Sequence, residues 1–121
     1  MNREGAIVVS WGSANPGREM KLPPLLGKVF AYCNALQTEK KIKEVRIFVT
    51  KAGVYRDTLM LYGALDQLSR ILVDNQFEAL LMEGTIVVQN INIALWEGGS
   101  PEWLSTGMSS YMDVLKQNSL M

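Results

Sequence analysis

The sequence has no histidine and a single cysteine, Cys33. Without histidine, side chains of this chain cannot form the serine–histidine or cysteine–histidine pairs that activate many nucleophiles. One cysteine cannot close an intramolecular disulfide or build a cysteine-rich metal site, so we expect no metal and a reducing compartment. Cys33 also falls on the apolar stripe of a predicted helix, where we interpret it as a small core residue.

The chain also lacks an excess of charge of either sign and a long apolar run. Twelve Lys and Arg balance twelve Asp and Glu, so nucleic acid is not an expected partner. A basic run at 40–43 falls where a helix should end, and cations there complement the helix dipole. No segment approaches the roughly 18 apolar residues of a membrane span, and the run at 6–11 is too short for a signal peptide. We therefore expect a cytoplasmic protein that does not bind membranes.

What remains is the composition of one globular domain. The 121 residues are 48% hydrophobic and 20% charged, which is enough apolar material for a single core without disulfides. Residues 5–12 form a compact apolar run that predicts a strand, ended by turn residues at 13–17. From 18 to 41, apolar residues recur every three or four positions and predict a helix. Pro23 and Pro24 leave its start open, either at Pro23 or in an earlier turn that kinks there.

The next elements show the period of β-strands. In residues 45–50 and 58–62, aliphatic side chains alternate with a mixed set of polar and large apolar ones, and the short segment between the two runs predicts an antiparallel hairpin. Asp66 and Asn75 are then placed to cap two short helices, and Gly84 to end the second.

The second half of the chain closes with one more strand and a tail. Residues 85–96 are rich in β-branched side chains and predict the last strand. The tail carries apolar residues at helical spacing over 105–117 and predicts an amphipathic helix, packed on its own subunit or on a partner. The predicted fold class is α+β: a ferredoxin-like βαββαβ antiparallel sheet with helices on one face, over 1–97, followed by a tail over 98–121 with the helix.

Two helices can cover only one face of a four-stranded sheet. The alternation assigns an apolar set to the helix side: Val45, Ile47, Val49, Leu59, Leu61, Ile91, Ile93 and Leu95. The opposite set mixes large apolar and polar side chains: Arg46, Phe48, Thr50, Thr58, Met60, Tyr62, Ile86, Val88, Asn90, Asn92 and Trp96.

That second face is too apolar to remain in water, because monomers rarely expose apolar patches of several hundred Å² without a function. The simplest cover is a second copy of the same sheet across a two-fold axis, so we predict a homodimer. Its polar side chains would then be buried and would need to bond each other, water or a ligand. An apolar cavity with a few polar groups is also the usual form of a small-molecule site.

The strand and helix order, the mixed sheet face and the tail resemble the dimeric α+β barrel superfamily over about residues 5–97. That superfamily includes cofactor-free quinol and antibiotic-biosynthesis monooxygenases. Its monooxygenase-like members place Asn, Trp and Arg in the barrel, and Asn90, Asn92, Trp96 and Arg46 match in type. Its haem-binding and dye-decolourising branches depend on histidine, which this chain lacks.

A narrower resemblance is to an uncharacterised bacterial family of that superfamily. The residues that carry it are Trp11-Gly12, Gly17-Arg18-Glu19, Phe30, Tyr32 and Leu36-Gln37 before Ile42.

Other motifs favour structural roles over chemistry. Asp66, Asp74 and Glu78 lie where helix starts favour carboxylates, so capping explains them without acid–base work. Gly12 and Gly17 follow a strand, but no Lys and Ser or Thr follows them as a phosphate loop requires. Turn geometry is the simpler interpretation.

Two hypotheses follow. In the first, the dimer barrel binds a small apolar or aromatic molecule, with or without cofactor-free monooxygenation or isomerisation. Its ligand-binding residues would be Arg46, Phe48, Tyr62, Asn90, Asn92 and Trp96, and no cofactor is expected. In the second, the chain is a structural or assembly module whose dimer interior is filled by side chains. The sequence leaves enzymatic activity open.

Overall fold

The computed structural model describes residues 3–99 and 101–118. The elements that form the sheet and its helical layer follow in chain order: β1 (Glu4–Trp11), a short 3₁₀ turn (Glu19–Lys21), α1 (Leu22–Thr38), β2 (Glu44–Val49), β3 (Asp57–Ala64), α2 (Leu65–Leu72), α3 (Asn75–Val87) and β4 (Asn92–Glu97). A last helix, α4 (Pro101–Gln117), follows the sheet.

The four strands form one antiparallel sheet in the order β2-β3-β1-β4. This is the predicted ferredoxin-like arrangement, and the predicted hairpin is its β2–β3 pair. The amphipathic tail helix is also present and begins four residues earlier than the spacing indicated.

The core lies between the two central strands and the helices. Ile7, Val9 and Leu61 of β1 and β3 pack there against buried residues of α1, α2 and α3. Cys33 is buried in this core, which confirms its predicted role.

The structure also shows where α1 begins. Pro23 and Pro24 lie in its first turn, where a missing N–H costs no helical hydrogen bond, and the 3₁₀ turn precedes them.

The predicted strand over 85–96 was wrong in its first half. Helix α3 continues past Gly84 to Val87, and β4 begins only at Asn92. The β-branched residues that suggested a strand are instead held in the helix end and the following turn, because Val87 and Val88 bury their side chains in the core. Asn90 has a φ of 54°, in the left-handed region that Asn tolerates in turns. Ile86, Val88 and Asn90 are therefore not on the open sheet face.

Two predicted helix caps also need correction. The side chain of Asp74, not that of Asn75, caps α3 by accepting a hydrogen bond from the backbone N–H of Phe77. Helix α2 follows Ala64 directly and has no side-chain cap, so Asp66 lies in its first turn rather than before it.

The helices cover the two central strands and the Val45 end of β2. On the helix side of the edge strands, Ile47 and Val49 of β2 and Ile93 and Leu95 of β4 remain exposed. The strand pairing thus places the predicted helix-side residues of β2, β3 and β4 on the same side of the sheet, as expected. Those on the two edge strands, however, are left exposed by this chain's own helices.

Candidate functional site

The candidate site is the sheet face that α1 to α3 leave open. Strand pairing aligns its side chains in three rows across β2, β3, β1 and β4. The first row is Glu44, Tyr62, Ala6 and Trp96; the second is Arg46, Met60, Val8 and Ala94; the third is Phe48, Thr58, Ser10 and Asn92. Register therefore places five of the six predicted ligand-binding residues on one surface, and Asn90 is the exception.

Small side chains run along β1 on this face. Ala6, Val8 and Ser10 are buried, and Ala94 of β4 lies beside Val8. Larger side chains lie on both sides of this strip: Tyr62 and Met60 on β3, Phe48 on β2, which is 46% exposed, and Trp96 on β4, which is 53% exposed. The open face, defined by the three rows, thus has a strip of small residues along β1 and large apolar groups on its two edge strands.

The one cationic side chain in the three rows is Arg46, on the edge strand β2. The Arg46 Nε donates a 2.8 Å hydrogen bond to Glu44 Oε1, and the guanidinium carbon lies 5.6 Å from the centre of the Tyr62 ring. The Glu44 carboxylate raises the pKa of Arg46, so the guanidinium remains charged at any ordinary pH. Tyr62 in turn donates its hydroxyl to Met60 Sδ at 3.2 Å.

A polar pair lies at the other end of the face. The hydroxyls of Ser10 and Thr58 are 2.9 Å apart and hydrogen-bonded, on the neighbouring strands β1 and β3. Asn92 stands beside Ser10 on β4 and is exposed. Hydroxyl and amide groups can donate to or accept from a ligand, whereas the first two rows offer mainly apolar surface.

The hydroxyls of Ser10 and Thr58 have no histidine or cysteine beside them in these rows. The rows contain no cysteine and no histidine. Within residues 3–99 and 101–118, no group of three potential metal ligands lies together.

A second concave feature lies between the sheet and helices α1 and α3 and was not predicted from the sequence. It is an apolar pocket of about 70 Å³, and Trp11 and Cys33 are among the residues that line it. The Trp11 indole N–H is buried and finds no acceptor among the residues that the structure describes. Burial raises the pKa of Cys33 to about 11, so its thiol stays protonated and unreactive near neutral pH.

None of the helices in the described part of the chain is long and apolar enough to cross a bilayer.

No protein-family model matches the sequence, and no curated protein is significantly similar to it. Solved structures do match. The protein PA3566 from Pseudomonas aeruginosa has a TM-score of 0.57 at 15% identity, over 83% of this chain and 97% of its own. A protein from Bacteroides fragilis, described as dimeric, of unknown function and ferredoxin-like in fold, has a TM-score of 0.56 at 12% identity, over 78% of this chain and 96% of its own. These likenesses confirm the ferredoxin-like fold that the resemblance implied.

Proposed function

We propose that this protein is a homodimer that stacks the open faces of two sheets and holds a small apolar or aromatic molecule between them. The observation that carries the proposal is the shape of the open face, with small residues along β1 and the large apolar side chains of Phe48 and Trp96 on its edge strands.

Dimerisation follows from the large apolar side chains on the edge strands. Phe48 and Trp96 would lose most of their water contact if a second sheet covered them, and burying a large apolar side chain stabilises by about 1.5 to 3 kcal/mol. Stacked sheets lie about 10 Å apart, a distance that large side chains can span and small ones cannot. The Bacteroides fragilis neighbour is described as dimeric, which supports assembly as a dimer.

Ligand binding follows from the strip of small residues along β1. Where Ala6, Val8 and Ala94 face the second sheet, their side chains are too short to fill that spacing. The space left is apolar, and the Ser10–Thr58 pair and Asn92 border it at one end. A flat apolar or aromatic molecule with one polar group fits these surroundings. Because no histidine accompanies the Ser10 and Thr58 hydroxyls, we propose binding and assign no reaction.

The dimer is tested with a matched pair of charge substitutions. Phe48→Glu should convert the dimer into single subunits in sedimentation equilibrium, because it would bury a carboxylate between the sheets. Met82→Glu introduces the same charge at an exposed position on α3 and should leave the dimer intact. A wild-type protein that sediments as one subunit at millimolar concentration would overturn the proposal.

Binding is tested with N-phenyl-1-naphthylamine, a neutral aromatic probe that fluoresces in apolar sites. We expect saturable binding to the wild-type dimer and at least a tenfold loss with Ala94→Phe, which fills the space beside Val8. The variant should remain dimeric, which separates a filled interior from a broken interface. Absence of saturable probe binding, together with no small molecule retained in native mass spectrometry, would instead indicate an assembly module with a packed interior.

A further inference from the structure

The apolar pocket between the sheet and helices α1 and α3 has very few polar groups in its wall. Among its lining residues only Trp11, Tyr32 and Cys33 carry a polar side-chain atom, and none is charged. The Tyr32 hydroxyl is already used, because it donates to Asp74 at 2.8 Å. The wall therefore offers two donors, the indole N–H of Trp11 and the weaker thiol of Cys33, and neither a carboxylate nor an amide side chain as an acceptor.

The indole N–H of Trp11 is a buried donor without a partner. Trp11 is 6% exposed, and no acceptor lies within hydrogen-bonding distance of its N–H among residues 3–99 and 101–118. A buried donor left unpaired destabilises a fold by about 1 to 3 kcal/mol, so an acceptor that entered the pocket would be stabilised there. A single water suits this place poorly, since a buried water needs about two to four polar partners and the wall has few.

The pocket has room for a small molecule and a route for its entry. Its volume is about 70 Å³, whereas a cavity must offer about 10 to 15 Å³ to hold one water, so about five to seven non-hydrogen atoms fit. Leu26 of α1 and Leu81 of α3 line the pocket and are only half-buried, so its wall reaches the surface along these two helices. A molecule of that size can therefore enter, or a longer one can insert its end.

The wall selects against charges and against additional donors. An ion would lose its hydration without finding an opposite charge, which is strongly unfavourable. A hydroxyl or amino group would bring an O–H or N–H for which the wall has no carboxylate or amide oxygen. A carbonyl group has neither drawback, because it is uncharged and brings no donor. Its oxygen has two lone pairs, so it can accept both the Trp11 N–H and the Cys33 thiol.

We propose that this pocket binds a small uncharged carbonyl compound, or the carbonyl-bearing end of a longer apolar molecule, with the Trp11 indole N–H donating to its oxygen. This site is separate from the open face. Trp11 belongs to the helix side of β1 together with Ile7 and Val9, whereas Ala6 and Val8 lie on the open face. The inference therefore does not rest on the proposed dimer or on the molecule between its sheets.

The test compares two compounds of the same shape, cyclohexanone and methylenecyclohexane, in which a CH₂ group replaces the carbonyl oxygen. The Trp11 indole cross-peak in a proton–nitrogen correlation spectrum is identified by its absence from Trp11→Phe. We expect cyclohexanone to move this peak downfield in a saturable titration, because hydrogen bonding deshields the indole proton. Methylenecyclohexane should bind the same pocket without that downfield shift.

Trp11→Phe removes the donor and keeps an apolar ring. Binding to this variant is followed through the backbone amide peaks of the residues that line the pocket. The preference for cyclohexanone over methylenecyclohexane, measured as the ratio of their dissociation constants, should fall about fivefold, as the loss of one hydrogen bond predicts. The ratio cancels the change in pocket volume, which affects both compounds alike.

A matched pair of variants tests the location. Leu81→Trp fills the pocket and should weaken the binding of both compounds about tenfold or more. Met82→Trp places the same ring at the neighbouring exposed position and should leave both dissociation constants unchanged. If Leu81→Trp does not fold, the wild-type titration and Trp11→Phe decide the question without it.

Three results would overturn the inference. One is the absence of a saturable shift of the Trp11 peak up to the solubility limit of both compounds, and another is an unchanged ratio in Trp11→Phe. The third is a nuclear Overhauser contact from the Trp11 indole proton to a side chain outside the wall, which would show that a segment of protein already occupies the pocket.

The two sites also fail separately. N-phenyl-1-naphthylamine has far more non-hydrogen atoms than the pocket can hold, so its binding reports on the open face alone. Sedimentation as one subunit would remove the proposed function and leave the carbonyl site standing. A dimer that binds the naphthylamine while the Trp11 peak stays unmoved by cyclohexanone would do the reverse.

Discussion

The hydroxyl of Tyr32 donates a 2.8 Å hydrogen bond to the carboxylate of Asp74 and so ties the middle of α1 to the start of α3. The same carboxylate accepts the backbone N–H of Phe77 at 3.3 Å and caps α3. The Tyr32 ring also lies 6.3 Å from the Phe77 ring, tilted by 33°. One side chain thus closes a helix end and fixes the angle between two helices.

Asp74→Ala should therefore cost more than the loss of an ordinary helix cap. We expect the free energy of unfolding to fall by about 2 to 3 kcal/mol, because the cap contributes about 1 kcal/mol and the buried Tyr32 hydroxyl also loses its acceptor. Tyr32→Phe should cost about 1 kcal/mol, since the cap survives. Urea unfolding of both single variants and the double variant measures the coupling, and strictly additive losses would contradict a shared role for the carboxylate.

Stability should also fall in alkaline solution through Cys33. Burial raises the pKa of this thiol from 9.0 to about 11 in the folded state. Below pH 9 both states hold the proton, whereas between pH 9 and 11 the unfolded chain releases it and the folded chain does not. Folding stability is therefore present below pH 9 and lost as the pH rises through the folded pKa, by about 2 to 3 kcal/mol.

The difference in unfolding free energy between the wild type and Cys33→Ala, followed from pH 8 to 11.5, isolates this contribution. This difference in unfolding free energy should shrink with rising pH, because the wild type loses the stability that the buried, protonated thiol provides. A constant difference would show that the thiol titrates alike in both states. Burial and the bond to Asp74 also raise the pKa of Tyr32, with a further contribution from Cys33, so the same comparison in a Tyr32→Phe background removes that group.

Sequence periodicity predicted the sheet well where a strand has one covered and one open face. The alternation in β2 and β3 identified both strands, their pairing and the open-face positions of Arg46, Phe48 and Tyr62. It was less informative for β1, because Ala6 to Trp11 are buried on both sides and show no alternation. The small residues of the candidate site come mainly from this strand, so the shape of the open face could not be predicted.

The errors have a common physical cause, which is tertiary packing. The β-branched run at the end of α3 favours a strand locally, but burial of Val87 and Val88 stabilises the helix end instead and moves Asn90 off the sheet. The cavity beside Trp11 likewise depends on how four elements pack, and no local pattern indicates it.

Gly5→Ala should disrupt the sheet. A Cβ at Gly5 would lie 2.0 Å from the backbone carbonyl oxygen of Trp96, so β1 and β4 could not stay paired at that point. We expect a loss of more than about 3 kcal/mol, because backbone cannot yield as a flexible side chain does. Gly27→Ala is the matched control: it lies exposed in α1 with open space around it and should stabilise by up to about 1 kcal/mol. Similar thermal unfolding midpoints for the two variants would contradict this packing.

A larger side chain in the pocket between the sheet and helices α1 and α3 tests whether that space is empty. Val9 lines it, and Val9→Ile adds one methylene to a space of about 70 Å³. In an empty cavity the added group gains contacts without displacing anything, so we expect about 0.5 to 1 kcal/mol of stabilisation in urea unfolding. Val73→Ile adds the same group at an exposed position and should change stability by less than about 0.5 kcal/mol.

A destabilisation of about 1 kcal/mol or more by Val9→Ile would mean that the space is already filled, because overpacking a core has that cost. In that case Trp11, whose indole N–H has no acceptor within the described residues, would be the group to examine for a bound partner.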